Sequence, residues 1–301
     1  MDETLHIEPT NRCTLACPAC PRTVWKNILG KPISKKDLDY TLLNKFLDCG
    51  SGKKIKKFRL SGDYGDSIYY PMLFDFIRDF RNYSFAIHTN ASYKSREWWE
   101  KLNSILTPDD EVFIAIDGLG QKENEKYRVN SNWESIQVAI DVLTKGPATI
   151  FCDTIFFKFN EDYLDSIKKW AESKGMNWNG KKTHRYGNNS LVPSEDKKLS
   201  EEKYIPDYNS NEPIDITPRC DEAKVITCEN KFFPCDWMRN PLTFYKSSLY
   251  RESYWLTNLD IANINLDQAL LILDEWKQTV IAEGKNGTCN ALCKMKCRTH
   301  K

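Results

Sequence analysis

The stretch TLHIEPTNRCTLACPAC, residues 4–20, determines our interpretation of this chain. Its first five residues predict a short β-strand, and Cys13, Cys17 and Cys20 follow in the next loop. A structural zinc site normally takes four Cys or His ligands, and the cysteine loop contains no histidine. Three thiolates can instead hold a 4Fe-4S cluster that leaves one iron open. We therefore predict a metal centre at the carboxyl end of the first strand, where parallel α/β folds bind their ligands.

This strand is the first of six that we predict to alternate with amphipathic helices as far as about residue 183. We predict the other strands at 55–60, 85–88, 111–116, 148–157 and 176–182. Helices are expected at 38–50 and 71–80, from Ser95, from Ser131 and at 162–175. Strands separated by helical segments of about 10–15 residues indicate parallel βαβ units, in a barrel or an open doubly wound sheet.

Composition narrows the classes of protein to consider. The 301 residues include 43 Lys and Arg against 42 Asp and Glu, a formal net charge of +1, which does not favour a nucleic acid partner. Neither a signal peptide nor a membrane-spanning run is evident, so we expect a cytoplasmic protein that does not interact with membranes. In such a protein eleven cysteines indicate metal or redox chemistry more than disulfides.

The segment PTNRCTLACPAC, residues 9–20, resembles the CxxxCxxC signature of the radical S-adenosylmethionine enzymes. The resemblance implies an α/β fold, a partial (β/α)6 TIM-like barrel with a small C-terminal iron-sulfur domain. It also implies that Cys13, Cys17 and Cys20 hold a 4Fe-4S cluster whose open iron chelates S-adenosylmethionine. In that family an electron from the cluster cleaves this cofactor to a 5'-deoxyadenosyl radical, while the protein supplies binding and electrostatics.

Three later stretches match the family in the expected order. SGDYGDSIYYP (61–71) resembles its Gly-Gly-Glu-Pro segment, which implies that Gly65 and Asp66 contact the cofactor amino group. HTNAS (88–92) resembles the Thr-Asn-Gly turn and implies a role for Asn90. AIDG (115–118) with a following Tyr-Arg pair resembles the fourth-strand segment, which implies that Arg128 pairs with the cofactor carboxylate and that Asp117 belongs to the cofactor site. Ala19 departs from the signature, because an aromatic residue usually stands there and contacts the adenine.

Six further cysteines lie near the C-terminus: Cys220, Cys228, Cys235, Cys289, Cys293 and Cys297. Cys220 and Cys235 flank a predicted hairpin that turns at Glu229 and Asn230 and contains Cys228, and a helix is predicted at 265–284. Zinc and disulfides are alternatives for this pool. The spacing resembles the auxiliary-cluster domains called SPASM or twitch, which implies a second 4Fe-4S cluster with four of these ligands. We accordingly predict a barrel at 1–190, a linker at 191–215 and an auxiliary-cluster domain at 216–301.

The resemblance implies an enzyme that abstracts hydrogen from its substrate. We favour a small-molecule or sugar-like substrate and a net two-electron oxidation that uses the auxiliary cluster. A peptide-modifying maturase is one alternative, and a non-catalytic iron-sulfur electron carrier is another. An electron donor such as flavodoxin or ferredoxin would be a partner. Several polar residues could face the barrel interior, or could be ordinary polar groups: Glu8, Asp63, His88, Asp153 and Lys158.

Overall fold

The computed structural model describes residues 3–30, 33–62, 64–182, 224–233 and 259–283. Strands and helices alternate through this chain. The strands are β1 (Thr4–Ile7), β2 (Lys57–Leu60), β3 (Ser84–Thr89), β4 (Glu111–Ala115), β5 (Thr149–Ile155), β6 (Asn177–Lys181), β7 (Val225–Ile226) and β8 (Phe232–Phe233). The helices are α1 (Pro21–Leu29), α2 (Leu42–Leu47), α3 (Leu73–Asp79), α4 (Arg96–Asn103), α5 (Gln121–Asn124), α6 (Trp133–Leu143), α7 (Leu164–Ser173) and α8 (Leu266–Glu283). The predicted α/β class of a partial (β/α)6 barrel is confirmed.

The described residues form two compact units, and the larger contains residues 9–37 and 58–182. Its strands follow the order β6-β5-β4-β3-β2, and the pairs β3–β4, β4–β5 and β5–β6 are parallel. Side chains alternate along β5: Cys152 and Thr154 are fully buried, whereas Phe151 and Asp153 on the opposite face are only partly buried. One face of this sheet therefore belongs to the core, and the other carries polar side chains.

A buried carboxylate joins the segments that lead into β3 and β4. Asp110 is fully buried and accepts hydrogen bonds from the Phe85 amide (2.8 Å) and from the Thr107 amide (2.8 Å) and hydroxyl (3.1 Å). Two nitrogens of the Arg81 guanidinium also donate to it, at 2.9 and 2.8 Å. Both strands begin here, so Asp110 fixes the edge of the sheet opposite to the strand carboxyl ends.

The smaller unit contains the described residues up to Glu8, those at 38–57 and those after 223. In it β7 pairs with β1 in parallel and with β8 in antiparallel fashion. Asn230 turns the β7–β8 hairpin in a left-handed conformation (φ 60°), so the predicted hairpin is confirmed. The Asp267 carboxylate accepts hydrogen bonds from the Gly50 and Ser51 amides (3.1 and 3.0 Å), which anchors the first turn of α8.

The predicted elements are confirmed except for the start of one helix, and two helices, α1 and α5, were absent from the prediction. The predicted helix at 38–50 is wrong in its first turn, because Asp37 bridges to Thr10 and the Asp39 carboxylate accepts from the Thr41 amide at 3.1 Å. The predicted domain bounds include residues outside the described ones and stay a prediction. Among the described residues, no helix has the length and hydrophobicity that crossing a membrane requires.

Candidate metal and cofactor site

The three cysteines of the predicted cluster site lie in the loop between β1 and α1. The Cys20 amide donates to the carbonyl oxygen of Cys17 (3.0 Å), which closes a turn. Cys20 then precedes α1 with an extended backbone (φ −73°, ψ 130°), and Pro21 stands in the first turn, where its missing N–H has no cost. Cys17 is buried, whereas Cys13 and Cys20 are partly exposed.

The surroundings of these thiols suit a positively charged metal centre. Burial raises the pKa of Cys13 to about 12, and the negative charge of Asp66 adds to the effect. Burial also raises the pKa of Cys17 to about 11, although the positive charge of Arg128 opposes the rise. The thiolate is the metal-binding form, so these side chains need a cation that displaces their protons. Iron ions would provide one.

The placement of the cysteines differs from a site for a single ion. No group of three His, Cys, Asp or Glu side chains in the described ranges is close enough to hold one metal ion. Thiolates of a 4Fe-4S cluster bind different iron atoms and lie farther apart than the ligands of one ion. The donor set after β1 consists of three cysteine sulfurs, and cysteine thiolates are the usual ligands of 4Fe-4S clusters.

Asp66 organises the turn that contains Asn90. Its Oδ2 accepts hydrogen bonds from the Asn90 amide (2.7 Å), from the Asn90 side-chain nitrogen and from the Thr89 hydroxyl (3.2 Å). Its Oδ1 accepts one hydrogen bond from the described residues, from the Ile68 amide at 3.2 Å, which leaves that oxygen a lone pair for another donor. The Asn90 side-chain nitrogen also lies 3.6 Å from the Cys13 sulfur. Thus Asp66 and Asn90 are both joined to the cysteine loop.

Gly65 lets the loop after β2 approach the cysteine loop. A Cβ atom at position 65 would lie 1.9 Å from the Thr10 carbonyl oxygen, so no other residue fits without moving the backbone. Next to it, the Asp66 amide donates to the Arg12 carbonyl oxygen at 2.8 Å. Gly65, which the sequence comparison assigned to a cofactor-binding segment, is thus required for the packing of the two loops.

Arg128 and Asp117 form a buried ion pair beside Cys17. The Arg128 Nε donates to Asp117 Oδ2 at 2.6 Å, and the Ile155 amide donates to Oδ1 at 2.7 Å. The positive charge of Arg128 acts on Cys17, where it opposes the rise that burial causes in the pKa of this thiol. Asp117 is fully buried, so it acts by holding Arg128 in place, and the guanidinium keeps further donors for another group.

The environment of Ala19 explains its small size. Ala19 belongs to a buried cluster that also contains Leu15, Cys17, Tyr127 and Phe157. The rings of Tyr127 and Phe157 lie 4.7 Å apart, centroid to centroid. Aromatic side chains from other segments therefore pack in the buried cluster that contains Ala19.

A second polar group lies on the partly exposed face of the sheet. Asp153 accepts hydrogen bonds from Lys181 (2.7 Å) and Asn179 (2.6 Å), and His88 Nδ1 is 3.9 Å from its Oδ2. Burial lowers the pKa of His88 to about 4, and despite burial His88 and Lys181 hold the pKa of Asp153 at about 2. At neutral pH the group therefore holds a neutral imidazole and an ion pair.

Sequence patterns predicted two members of this group, His88 and Asp153, and did not predict Asn179 and Lys181. Lys181 lies two residues after Asn179, so strand alternation alone would have put it on the face of Asp153. Of the other residues expected to face the interior, Lys158 pairs with Glu161 after β5, and Glu8 is buried in the smaller unit. Asp63 lies outside the described residues.

One cysteine of the C-terminal pool is described. Cys228 lies partly buried in the turn between β7 and β8. The other members lie outside the described residues: Cys220, Cys235, Cys289, Cys293 and Cys297. The auxiliary cluster therefore stays a prediction.

The fold resembles that of solved structures, some of which contain bound S-adenosylmethionine (AdoMet). The chain matches native anSMEcpe with bound AdoMet at a TM-score of 0.51 and 14% identity, over 77% of this chain and 74% of that chain. It matches Streptococcus suis SuiB bound to the precursor peptide SuiA at a TM-score of 0.51 and 12% identity, over 81% and 61% of the two chains. No protein-family profile and no curated protein matches the chain.

A third match extends over more of the chain. BtrN in complex with AdoMet and 2-DOIA aligns with 98% of this chain and 92% of its own, at 11% identity and a TM-score of 0.47. A TM-score below 0.5 does not establish a shared fold. The identities of the anSMEcpe and SuiB matches, 14% and 12%, show the fold alone, which agrees with the partial barrel described above.

Proposed function

We propose that this chain is a radical AdoMet enzyme in which Cys13, Cys17 and Cys20 hold a 4Fe-4S cluster. When bound, that cluster supplies the electron that cleaves AdoMet to a 5'-deoxyadenosyl radical. One observation carries the proposal: three segments at the carboxyl ends of β2, β3 and β4 are hydrogen-bonded to the cysteine loop. These contacts are made by Asp66, by Asn90 and by the Arg128–Val129 segment.

The protein's own residues have distinct parts in this proposal. Asp66 offers its remaining Oδ1 lone pair to the cofactor amino group and positions Asn90 beside Cys13. Arg128 offers its remaining guanidinium donors to the cofactor carboxylate, while Asp117 fixes its orientation. Gly65 allows the loop that carries Asp66 to reach the cysteine loop. Each carboxylate or guanidinium thus meets a cofactor group of opposite charge.

We further propose that the substrate is a small molecule or sugar-like compound from which hydrogen is abstracted. The polar group at Asp153, His88 and Lys181 supports this, since it offers both donors and acceptors near the strand ends. A peptide substrate is the second candidate. It is favoured by the peptides bound to two fold relatives, SuiA on SuiB and the Cp18Cys peptide on anSMEcpe.

An auxiliary 4Fe-4S cluster in a SPASM or twitch-like C-terminal domain remains part of the proposal. It would accept the second electron of a net oxidation, and its ligands would come from the six C-terminal cysteines. The cluster after β1 would receive its electron from a flavodoxin or ferredoxin. A non-catalytic iron-sulfur electron carrier is the alternative from another class.

AdoMet cleavage decides between an enzyme and a carrier. The chain is reconstituted anaerobically with iron and sulfide, mixed with AdoMet and dithionite, and assayed for 5'-deoxyadenosine by liquid chromatography. We expect 5'-deoxyadenosine from the native chain and none from the Cys13→Ala, Cys17→Ala, Cys20→Ala triple variant. Cys49→Ala is the matched control, because Cys49 is a partly buried cysteine outside the site. A chain with loaded clusters that leaves AdoMet intact would instead be a carrier.

A further inference from the structure

A cleft on the outer side of the cysteine loop is lined by cations. It has a volume of about 430 Å³, and its walls include Arg12, Arg22, Lys26 and Lys35 together with Cys13. No carboxylate is among the described residues that line it. The sequence explains the excess, since residues 9–36 contain six Lys or Arg and neither Asp nor Glu, in a chain whose net charge is only +1.

The walls of the cleft are fixed by hydrogen bonds. The Arg12 guanidinium binds the Asp37 carboxylate at 2.9 and 3.0 Å. The Asn11 side chain receives the Lys36 amide (2.8 Å) and donates to the Ser34 carbonyl oxygen (2.7 Å), which holds the segment that carries Lys35. A basic segment that is only in contact with solvent does not need hydrogen bonds that fix its backbone and side chains. These hydrogen bonds therefore favour a ligand site.

Arg22 supplies a second observation that indicates a ligand. Its Nη2 donates to the Leu15 carbonyl oxygen, while its Nε is buried and has no hydrogen-bond partner in the part of the chain that the structure describes. A buried donor without an acceptor is costly, roughly 1–3 kcal/mol and more for a charged group. An anion in the cleft would provide the missing acceptor.

The charge of the site selects the class of anion. Asp37 compensates Arg12, which leaves the charges of Arg22, Lys26 and Lys35. A single carboxylate would compensate one of these three. A phosphoryl group carries a charge of about −1.5 to −2 at neutral pH and three acceptor oxygens, and a diphosphate carries more. Arg22 and the two lysines suit such oxygens.

We propose that this cationic cleft binds the phosphoryl or diphosphate group of a small-molecule substrate. The inference rests on the proposed function, because it assigns a substrate class to the same AdoMet-cleaving site. Cys13 belongs both to the cleft and to the candidate cluster site, so a substrate anchored here by its phosphoryl end would lie beside the place where the radical forms.

Inorganic pyrophosphate is the probe for this site. It is titrated calorimetrically into the reconstituted full chain without AdoMet, at fixed ionic strength. We expect binding to the native chain, and at least about tenfold weaker binding by the Lys26→Gln, Lys35→Gln variant, since a hydrogen bond to a charged group contributes roughly 1.5–3 kcal/mol. Arg22→Gln should weaken binding to a similar extent.

The matched control is the Lys169→Gln, Lys174→Gln variant, which removes two exposed lysines at α7. It should bind pyrophosphate like the native chain. Equal weakening in both variants would show nonspecific attraction and overturn the proposal, as would the absence of binding. Loss of pyrophosphate binding when AdoMet is added would overturn it too, since the cleft would then be the cofactor carboxylate site.

The same samples separate this inference from the proposed function. Pyrophosphate binding without 5'-deoxyadenosine formation would reject AdoMet cleavage and, with it, the assignment of the anion as a substrate. Cleavage with dithionite but no pyrophosphate binding would reject the cleft alone. If the lysine pair variant lost cleavage only with flavodoxin as donor, and pyrophosphate did not bind, the cleft would receive an acidic protein and the proposal would be wrong.

Discussion

At the scale of single residues, most side chains of the candidate site form hydrogen bonds with one another. They also keep a donor or an acceptor for a bound ligand. Asp66 shows this well: four protein donors reach its two oxygens, and it remains almost fully buried. The sequence could place Asp66 and Asn90 at neighbouring strand ends, because both follow predicted strands. It could not show that one binds the other, because this depends on the conformation of two loops.

Replacing Asp66 tests its part in cofactor binding. In Asp66→Asn the side chain loses its charge and presents an NH2 group to one of its two sets of donors. We expect AdoMet to bind at least about tenfold more weakly, since a charge-assisted hydrogen bond contributes roughly 1.5–3 kcal/mol. Equilibrium dialysis of reconstituted protein measures this. Asp75→Asn, on the exposed surface of α3, is the control, and equal affinity of all three proteins would limit Asp66 to a structural part.

The pKa of His88 depends on burial and on the charged residues beside it. Burial lowers the pKa of His88 from 6.5 to about 4, with Asp153 raising it and the charges of Arg59 and Lys181 lowering it. We therefore expect Asp153→Asn to lower the His88 pKa further and Lys181→Met to raise it. A proton NMR titration of the imidazole signals measures both, because the chain has only four histidines. The His88→Gln variant assigns the signal.

This shift also affects stability. Because the folded-state pKa of His88 lies below its unfolded value, its contribution to stability is present above pH 6.5 and is lost as the pH falls toward 4. Asp153, with a folded-state pKa of about 2 against 3.8, loses its contribution only below that window. If the two substitutions moved the His88 pKa in the same direction, the charges of Asp153 and Lys181 would not control it.

At the scale of secondary-structure elements, hydrophobic patterns predicted the positions of the strands more accurately than the ends of the helices. β2 to β5 have apolar residues at a period of two or in short runs, which a sequence displays directly. Helix α2 begins four residues later than predicted, since polar contacts of Asp37 and Asp39 keep the preceding chain extended. Helix α1 follows Cys20, and the proline in its first turn is the sequence signal that could have predicted where this helix begins.

The sheet edge opposite to the site should depend on Asp110. Asp110→Asn removes a buried charge that faces Arg81 and leaves some of the donors from Phe85 and Thr107 without an acceptor. Breaking a buried ion pair costs about 3–5 kcal/mol, so we expect a loss of that size in the free energy of unfolding, measured with urea. Asp109→Asn is the control, because Asp109 is the exposed neighbour and should change stability by less than about 0.5 kcal/mol.

A small loss in the Asp110 variant, similar to that of the Asp109 variant, would show that the other hydrogen bonds at this edge suffice. AdoMet cleavage in the same variant is expected to persist at temperatures where it stays folded. The reason is location: Asp110 precedes β4, whereas the candidate site follows the opposite ends of the strands.

At the scale of the whole molecule, the number of irons tests the domain prediction. One cluster after β1 and one auxiliary cluster would give about eight irons per chain, and the triple variant at Cys13, Cys17 and Cys20 would keep about four. Metal analysis by mass spectrometry gives both values, with Cys49→Ala as the control. About four irons in the native chain and none in the triple variant would exclude the auxiliary cluster. Zinc found in the same sample would indicate a structural zinc site in its place.

The whole-molecule arrangement was also the least accessible from sequence. The pairing of β7 with β1 joins residues more than 200 positions apart, and only two residues of each strand take part. Such short strands give little periodicity, so a pattern of residues cannot specify their partner. By contrast, the order of Cys13, Asp66, Asn90 and Arg128 along the chain was informative, because each comes after a strand of the alternating α/β pattern.

The way in which the cysteine loop is held has a consequence for how the protein is made. Its backbone is bonded on one side to Asp66 and on the other to Val129, through contacts that need no metal. Zinc fingers, in contrast, are unfolded until the metal binds. Here the chain would fold first, and iron would afterwards bind to a preformed site. Biogenesis would then be a cluster-delivery problem, and chelation would strip the iron reversibly without melting the barrel.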